Sequence, residues 1–374
     1  MTPIIWTVLL AIAIVGVEVV AELQYRRLPS IRRRLVEYLL SSEAAPHDSA
    51  EQRETQASPI RYAEHPFLAF SLSPDFVNSR GERIHNRFGF RASQDWGPRT
   101  AGTLRIYLAG GSTVYDAGVE SNEETFAMLL ERQLVSRLCR PVEVINGGVG
   151  NYTSWQSFIR LAAWIDYLDP QVVVTYQGIN DITAFLYTDA TSASIVPDYQ
   201  HCFRSLNLSD LKRRVPLWVR YSRLGRFWYT QRLDHRNLNI RFLTMKGPDK
   251  VHHIGKDVDF AVSYIGARIR YDIIETHLRN TAAICASRGI GIVMLTERLE
   301  RGSDEWYRPF LEEVNDRIRK LGASGICSVI DFDRTFPSDS TDFAGSMHFS
   351  LKGNVARAEW IAQALIPHLV SLNS

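Results

Sequence analysis

From Thr103 onward the chain alternates short apolar runs with amphipathic stretches. Thr103 to Ala109 (TLRIYLA) has the pattern of a buried strand and ends at Gly-Gly. Residues 123–138 set Phe126, Leu129, Leu130 and Leu134 on one helical side, with Ser121 or Asn122 as the cap. Val142 to Ile145 predicts a second strand, ending at Asn146-Gly-Gly. Residues 153–167 read as a helix stopped by Asp169-Pro170, and Val172 to Tyr176 as a strand ending at Gly178. A long stretch from about 186 to 265 interrupts the alternation. It resumes with a helix over 270–287, a strand over Gly291 to Leu295, a helix over 305–321, a strand over Cys327 to Ile330 and a closing helix over 351–371. Alternating strands and helices predict an α/β fold: a three-layer α/β/α sandwich around a parallel sheet of about five strands. Such sheets bind ligands beyond the carboxyl ends of their strands.

The N-terminus has a different pattern. Pro3 to Val17 is apolar apart from Thr7, and Val19, Val20 and Ala21 extend the run past Glu18. That is close to the roughly 20 residues that cross a bilayer. No Lys or Arg precedes the run, which argues against a cleaved signal peptide. The expectation is an uncleaved transmembrane helix over residues 1–25, serving as a single-pass anchor. A buried N-terminal helix is the alternative, and Glu18 supports it. Arg26, Arg27, Arg32, Arg33 and Arg34 follow the run and favour a cytoplasmic C-terminal side, whereas an enzyme of exported substrates would face the other way. Residues 26–100 read as a polar linker, clearest over 41–58, and then an irregular lead-in with aromatic islands at His65-Pro66-Phe67-Leu68 and Phe88-Gly89-Phe90-Arg91.

Composition changes little. The 374 residues carry a net charge of +2, which calls for no nucleic-acid partner. Cys139, Cys202, Cys285 and Cys327 lack close-paired metal spacing, and His201, His252 and His253 show no ligand spacing either. No metal or organic cofactor is expected. Residues 211–233 mix Arg213, Arg214, Arg220, Arg223, Arg226 and Arg232 with aromatics, and read either as a solvated helical insertion or as a lid or membrane-surface segment.

Candidate chemistry gathers at strand ends. Gly110-Gly111-Ser112-Thr113 sets a serine on a tight turn, where its hydroxyl is a nucleophile if a base and an oxyanion site lie within reach. A helix cap is the structural alternative. Asn146-Gly147-Gly148-Val149-Gly150-Asn151 is a glycine-rich turn whose N–H groups can approach a ligand. In Gly178-Ile179-Asn180-Asp181, the Asn180 amide can donate to an oxyanion, while Asp181 caps or braces the loop. His348 precedes the closing helix and can reach the same sheet edge as Ser112.

Serine, glycine loop, asparagine and histidine, in this order and each after a strand, resemble the SGNH (GDSL-like) hydrolases, over roughly residues 100–374. HPFLAF and FGFRA ahead of the first strand are similar to the lead-in of membrane-anchored bacterial members. The resemblance implies a flavodoxin-like fold, with Ser112 as nucleophile and His348 as base. It implies an oxyanion hole from the Ser112 N–H, the loop at Gly150 or Asn151, and the Asn180 side chain. Two positions depart from the family pattern. Asn151 stands where the family has glycine. Gly345 stands three residues before the histidine, where the family has the aspartate that orients the imidazole. Asp342 or Asp339 is the substitute, or else Ser112 and His348 act as a dyad. The hydrolase domain then spans 101–374 with the insertion near 186–265. Its expected partner is an ester-bearing substrate, an O-acyl group on a glycan. An acyltransferase with the same pair, or a catalytically weakened binding or assembly protein, are the competing functions.

Overall fold

The computed structural model describes residues 3–27, 60–65, 68–187, 217–232, 269–301 and 308–371. The polar stretch 41–58, Cys202, and His201, His252 and His253 lie outside them. The chain divides into two compact units. One holds residues 1–53, 189–192 and 201–261; the other holds 54–188, 193–200 and 262–374.

The larger unit contains the sheet. Strands β3 (Leu104–Gly110), β4 (Val142–Asn146), β5 (Val172–Tyr176), β6 (Gly291–Leu295) and β7 (Ser328–Ile330) are all parallel, in the order β4-β3-β5-β6-β7. The order reverses at β3 and β5, which makes a crevice there beyond the strand ends. The sequence thus predicts the strands to within a residue or two, because each is a short apolar run closed by glycine or polar residues.

Alternation along β3 feeds both faces. Leu104, Ile106 and Leu108 join the core under α3 (Phe126–Leu138) and α11 (Leu351–Ser371). Tyr107 and Ala109 point into the opposite core with Leu161 and Ile165 of α4 (Ser154–Leu168) and Cys285 of α8 (Tyr271–Ala286). Arg105 shares that second face and is buried, bonding Glu143 and the Leu168 carbonyl, each at 2.6 Å. Thr125 caps α3, and Thr153 caps α4 in a reciprocal box with Gln156. The cap of α3 lies a few residues later than the sequence suggests, because Ser121 instead caps a separate 3₁₀ turn, Asn122–Glu124. Among the described residues the remaining α-helices of this unit are α2 (Ser112–Tyr115), α5 (Ile179–Tyr187), α9 (Arg308–Ala323) and α10 (Phe332–Thr335).

The lead-in is more regular than its sequence suggests. β1 (Tyr62–His65) and β2 (Ala69–Leu72) form an antiparallel pair. Tertiary bonds fix the pair: the Tyr152 hydroxyl donates to the Phe70 carbonyl at 2.7 Å, and Arg160 donates to Ser71 Oγ at 2.8 Å. Phe90 and Trp96 are core residues.

The smaller unit contains α1 (Pro3–Arg27), α6 (Leu217–Tyr221) and α7 (Arg223–Arg232). Glu18 accepts from the Ser222 hydroxyl at 2.6 Å and from the backbone N–H groups of Arg223 and Leu224, so it caps α7. Its carboxylate, the polar interruption in the apolar run, is therefore satisfied inside the unit. The expected transmembrane span is not borne out at this level: among the described residues no helix is long and apolar enough to cross a membrane.

Ile106 is fully buried at the centre of the sheet. Ile106→Ala is expected to cost about 2–5 kcal/mol in a denaturant melt, through lost burial and the cavity left behind.

Candidate active site

The site is built on the carboxyl ends of β3, β4 and β5. Chain reversal after β3 depends on its two glycines. A Cβ on Gly110 would overlap Val114 and the Tyr176 carbonyl, and one on Gly111 would overlap the Asn180 amide. With both lacking side chains, Gly111 lies against the Asn180 amide and Ser112 starts the one-turn helix α2. The turn ends at Asp116 in a left-handed conformation, φ 69°.

His348 Nε2 lies 2.9 Å from Ser112 Oγ, the distance a general base needs. The contact spans 236 positions of sequence. His348 is brought there by a tight loop closed by Ala344 N–H donating to the His348 carbonyl at 2.8 Å and by a bridge between Phe343 and Phe349.

The glycine loop packs backbone to backbone on the nucleophile turn. A Cβ on Gly148 would overlap the Tyr115 N–H and the Val114 carbonyl carbon, and one on Gly150 would overlap the Tyr62 hydroxyl. Asn151 sits at φ 65°, the left-handed region where glycine is the usual residue and asparagine the best-tolerated replacement. Asn180 Nδ2 donates to the Tyr152 carbonyl at 3.0 Å. Ser112, Gly150, Asn151 and Asn180 therefore belong to one cluster, joined through Gly111 and Tyr152.

Asp342 does not orient His348. It closes a 3₁₀ turn (Ser340–Asp342) in which its Oδ2 accepts the Asp339 N–H at 2.9 Å, while its Oδ1 pairs with Lys352 at 3.1 Å. Asp339 is spent on Thr341 and Lys352, contacts that hold its carboxyl at about 2. Gly345 has φ 150° in open space, a backbone in which an aspartate would be strained. Among the described residues no carboxylate hydrogen-bonds His348, so the geometry is that of a Ser112–His348 dyad.

Charge reaches the imidazole from further away. Burial lowers the His348 pKa below 6.5, Asp116 opposes this shift, and Arg357 adds to it. Asp116 and Arg357 are both buried and paired at 2.6 Å; Arg357 also donates to the Thr113 carbonyl at 3.1 Å. Arg91 donates to the carbonyls of Tyr115, Asp116 and Val119. Two buried guanidinium groups thus clamp the turn that carries Ser112.

Two buried carboxyls brace Asn180. Asp181 accepts from the N–H and hydroxyl of Ser154, at the start of α4. Glu297, just beyond β6, accepts from the Ile179 N–H. Burial raises Asp181 to about 6 and Glu297 to about 7. Asp116, Arg357, Arg91 and Glu297 were not legible as site residues. The only sequence signal for Glu297 is its position two residues past a strand end.

The GDSL-like Lipase/Acylhydrolase family model matches residues 108–356 of this chain. The chain belongs to that family. The family match spans the serine, glycine-loop, asparagine and histidine blocks together, and it makes the protein an ester-hydrolysing hydrolase. No curated protein sequence matches significantly. Solved structures resemble it distantly. An acetyl xylan esterase is 15% identical over 70% of this chain and 100% of its own, with a TM-score of 0.43. An acetylxylan esterase from Geobacillus stearothermophilus, solved as a catalytic mutant, is 12% identical over 73% and 97%, TM-score 0.40. A lipase/acylhydrolase from Enterococcus faecalis is 16% identical over 70% and 95%, TM-score 0.39.

The GDSL-like hydrolase needs a neutral base, and burial keeps His348 neutral to lower pH than a free imidazole. The ionisation of His348 is expected to appear in kcat/KM as an acid step with its midpoint below 6.5, activity falling as pH drops through it. NMR titration of the ring assigns that step. A His348 midpoint at or above 6.5 contradicts the assignment of burial as the controlling force.

Proposed function

We propose that this protein is a serine esterase that removes an O-acyl group, O-acetyl in the first instance, from a carbohydrate by way of an acyl-enzyme. The 2.9 Å contact between His348 and Ser112 carries the reading. In the first half-reaction Ser112 Oγ attacks the ester carbonyl as its proton passes to His348 Nε2. The tetrahedral oxyanion accepts hydrogen bonds from the Asn180 amide and from backbone N–H groups of Ser112 and the loop at Gly150-Asn151. His348 then returns the proton to the departing sugar hydroxyl, and water repeats the sequence on the acyl-enzyme. The carbohydrate substrate is an expectation from the family's chemistry.

A second reading, a weakened enzyme serving mainly in binding, gains weight because among the described residues no carboxylate hydrogen-bonds His348. A dyad keeps nucleophile and base but loses the group that fixes tautomer and ring orientation. Labelling with a fluorophosphonate decides between them. The expected result is modification of Ser112 in the folded protein. Ser112→Ala should abolish labelling and lower turnover of a p-nitrophenyl ester by three orders of magnitude or more. A folded, unlabelled wild-type protein rejects the hydrolase mechanism. Supplying an acetylated glycan with a second sugar separates free acid, the esterase product, from acetylated acceptor, the transferase product.

We further infer that the N-terminal helix tethers the enzyme to a bilayer. The apolar run from Pro3 to Val17, broken only by Thr7, supports the reading. Ile14, Val15, Val17, Val20 and Leu23 are exposed, and Glu18 is consumed as a cap. Membranes carrying the full chain are expected to retain it through alkaline carbonate extraction. Complete release at high pH rules out an integral span.

A further inference from the structure

Glu297 belongs to none of the blocks that carry the family resemblance, yet it touches residues of two of them. It is only 2% exposed. Its Oε2 accepts the Ile179 N–H at 2.7 Å, and its Oε1 accepts the Thr113 hydroxyl at 3.4 Å, a long bond. Ile179 immediately precedes Asn180; Thr113 immediately follows Ser112. Glu297 itself is held rigidly from α9: its N–H donates to Asn315 Oδ1 and its carbonyl accepts from Asn315 Nδ2, both at 2.8 Å.

A carboxyl buried among the described residues without an ion pair is costly, as its upward shift shows. An apolar side chain of similar volume would avoid that cost. What it could not do is accept the N–H at the start of α5, where the preceding residue is Gly178, or tie that N–H to the turn carrying Ser112.

We propose that Glu297 is a positioning residue: by bonding the residue after Ser112 and the residue before Asn180, it fixes the distance between nucleophile and oxyanion donor. The role rests on the esterase reading of Ser112 and Asn180. The geometric need is strict, since an acyl-transfer site tolerates displacements of only about 0.5 Å between attacking atom and oxyanion donors. Ser112 rides on a helix of only four residues, Ser112–Tyr115, which has little stiffness of its own. Glu297 supplies it from a different strand, alongside Arg357 and Arg91.

The test compares Glu297→Leu, Glu297→Gln and Thr113→Val by the second-order rate of fluorophosphonate labelling at Ser112. Rates are measured below the unfolding transition of each variant, together with kcat and KM for a p-nitrophenyl ester. Glu297→Leu is expected to slow labelling by about tenfold or more and to lower kcat with little change in KM. Glu297→Gln, whose amide can accept from Ile179 and donate to Thr113, should recover most of that loss. Thr113→Val should give a smaller loss in the same direction, and the Leu–Val double variant should be no slower than Glu297→Leu alone. Wild-type labelling rates in Glu297→Leu overturn the proposal. So does a Gln variant as slow as the Leu variant, or full additivity in the double variant. Should Glu297→Leu fail to fold, Thr113→Val decides: a labelling rate equal to wild type overturns the proposal. If wild-type protein is not labelled at all, the esterase reading fails and the proposal falls with it; if wild type labels and the variants do not differ, only the proposal fails.

Discussion

The first turn of α5 is the constraint on which the site depends. Three consecutive residues there each bind a different part of the molecule. Ile179 donates its N–H to Glu297 beyond β6, Asn180 donates to the Tyr152 carbonyl while resting on Gly111, and Asp181 holds Ser154 at the start of α4. Nucleophile turn, glycine loop and oxyanion donor are thereby fixed to one helix terminus. Two of these anchors are carboxyls buried away from water, at 0% and 2% exposure. Acceptors are what a helix N-terminus requires, because its first N–H groups have no partner within the helix.

Around that terminus the chain approaches itself more closely than side chains would allow. Gly110, Gly111 and Gly148 each occupy a place where a Cβ would overlap a neighbour. The close approach of β3, the glycine loop and α5 leaves Gly111 against the Asn180 amide, and His348 reaches the Ser112 hydroxyl from the last loop. Arg91 and Arg357 then clamp the turn by its carbonyls, and the Arg357–Asp116 pair supplies the charge nearest the base. A site assembled in this way has Ser112, His348 and Asn180 held largely by backbone contacts. The orientation of the imidazole is held by packing and by the loop around it.

Gly345 illustrates how one departure from a family pattern spreads. With φ at 150°, it leads the chain into the histidine along a path that favours glycine. Asp342 and Asp339, the nearest carboxylates in sequence, are drawn instead into the 3₁₀ turn and onto Lys352. Local hydrogen bonding within three residues wins over a longer reach to the imidazole, because closing a short turn restricts fewer torsions.

Periodicity by itself determined the layers and the parallel sheet, since a parallel sheet covered on both faces leaves a record of apolar runs alternating with one-sided helices. The sequence also determined Ser112, Asn180 and His348 as a set, because each follows a strand and sits among small or polar residues that punctuate the chain. It did not determine the regular pairing of β1 with β2, which depends on bonds from Tyr152 to the Phe70 carbonyl and from Arg160 to the Ser71 hydroxyl, both far away in sequence. Nor did it determine Asp342, whose partners depend on how a loop closes, or Glu297, Asp116 and Arg357. Glu297 and Thr113 are 184 positions apart, and Arg357 and Asp116 are 241. Contacts at such separations follow no local period, and a buried charged group becomes intelligible only when the groups that satisfy it have been brought alongside by the fold.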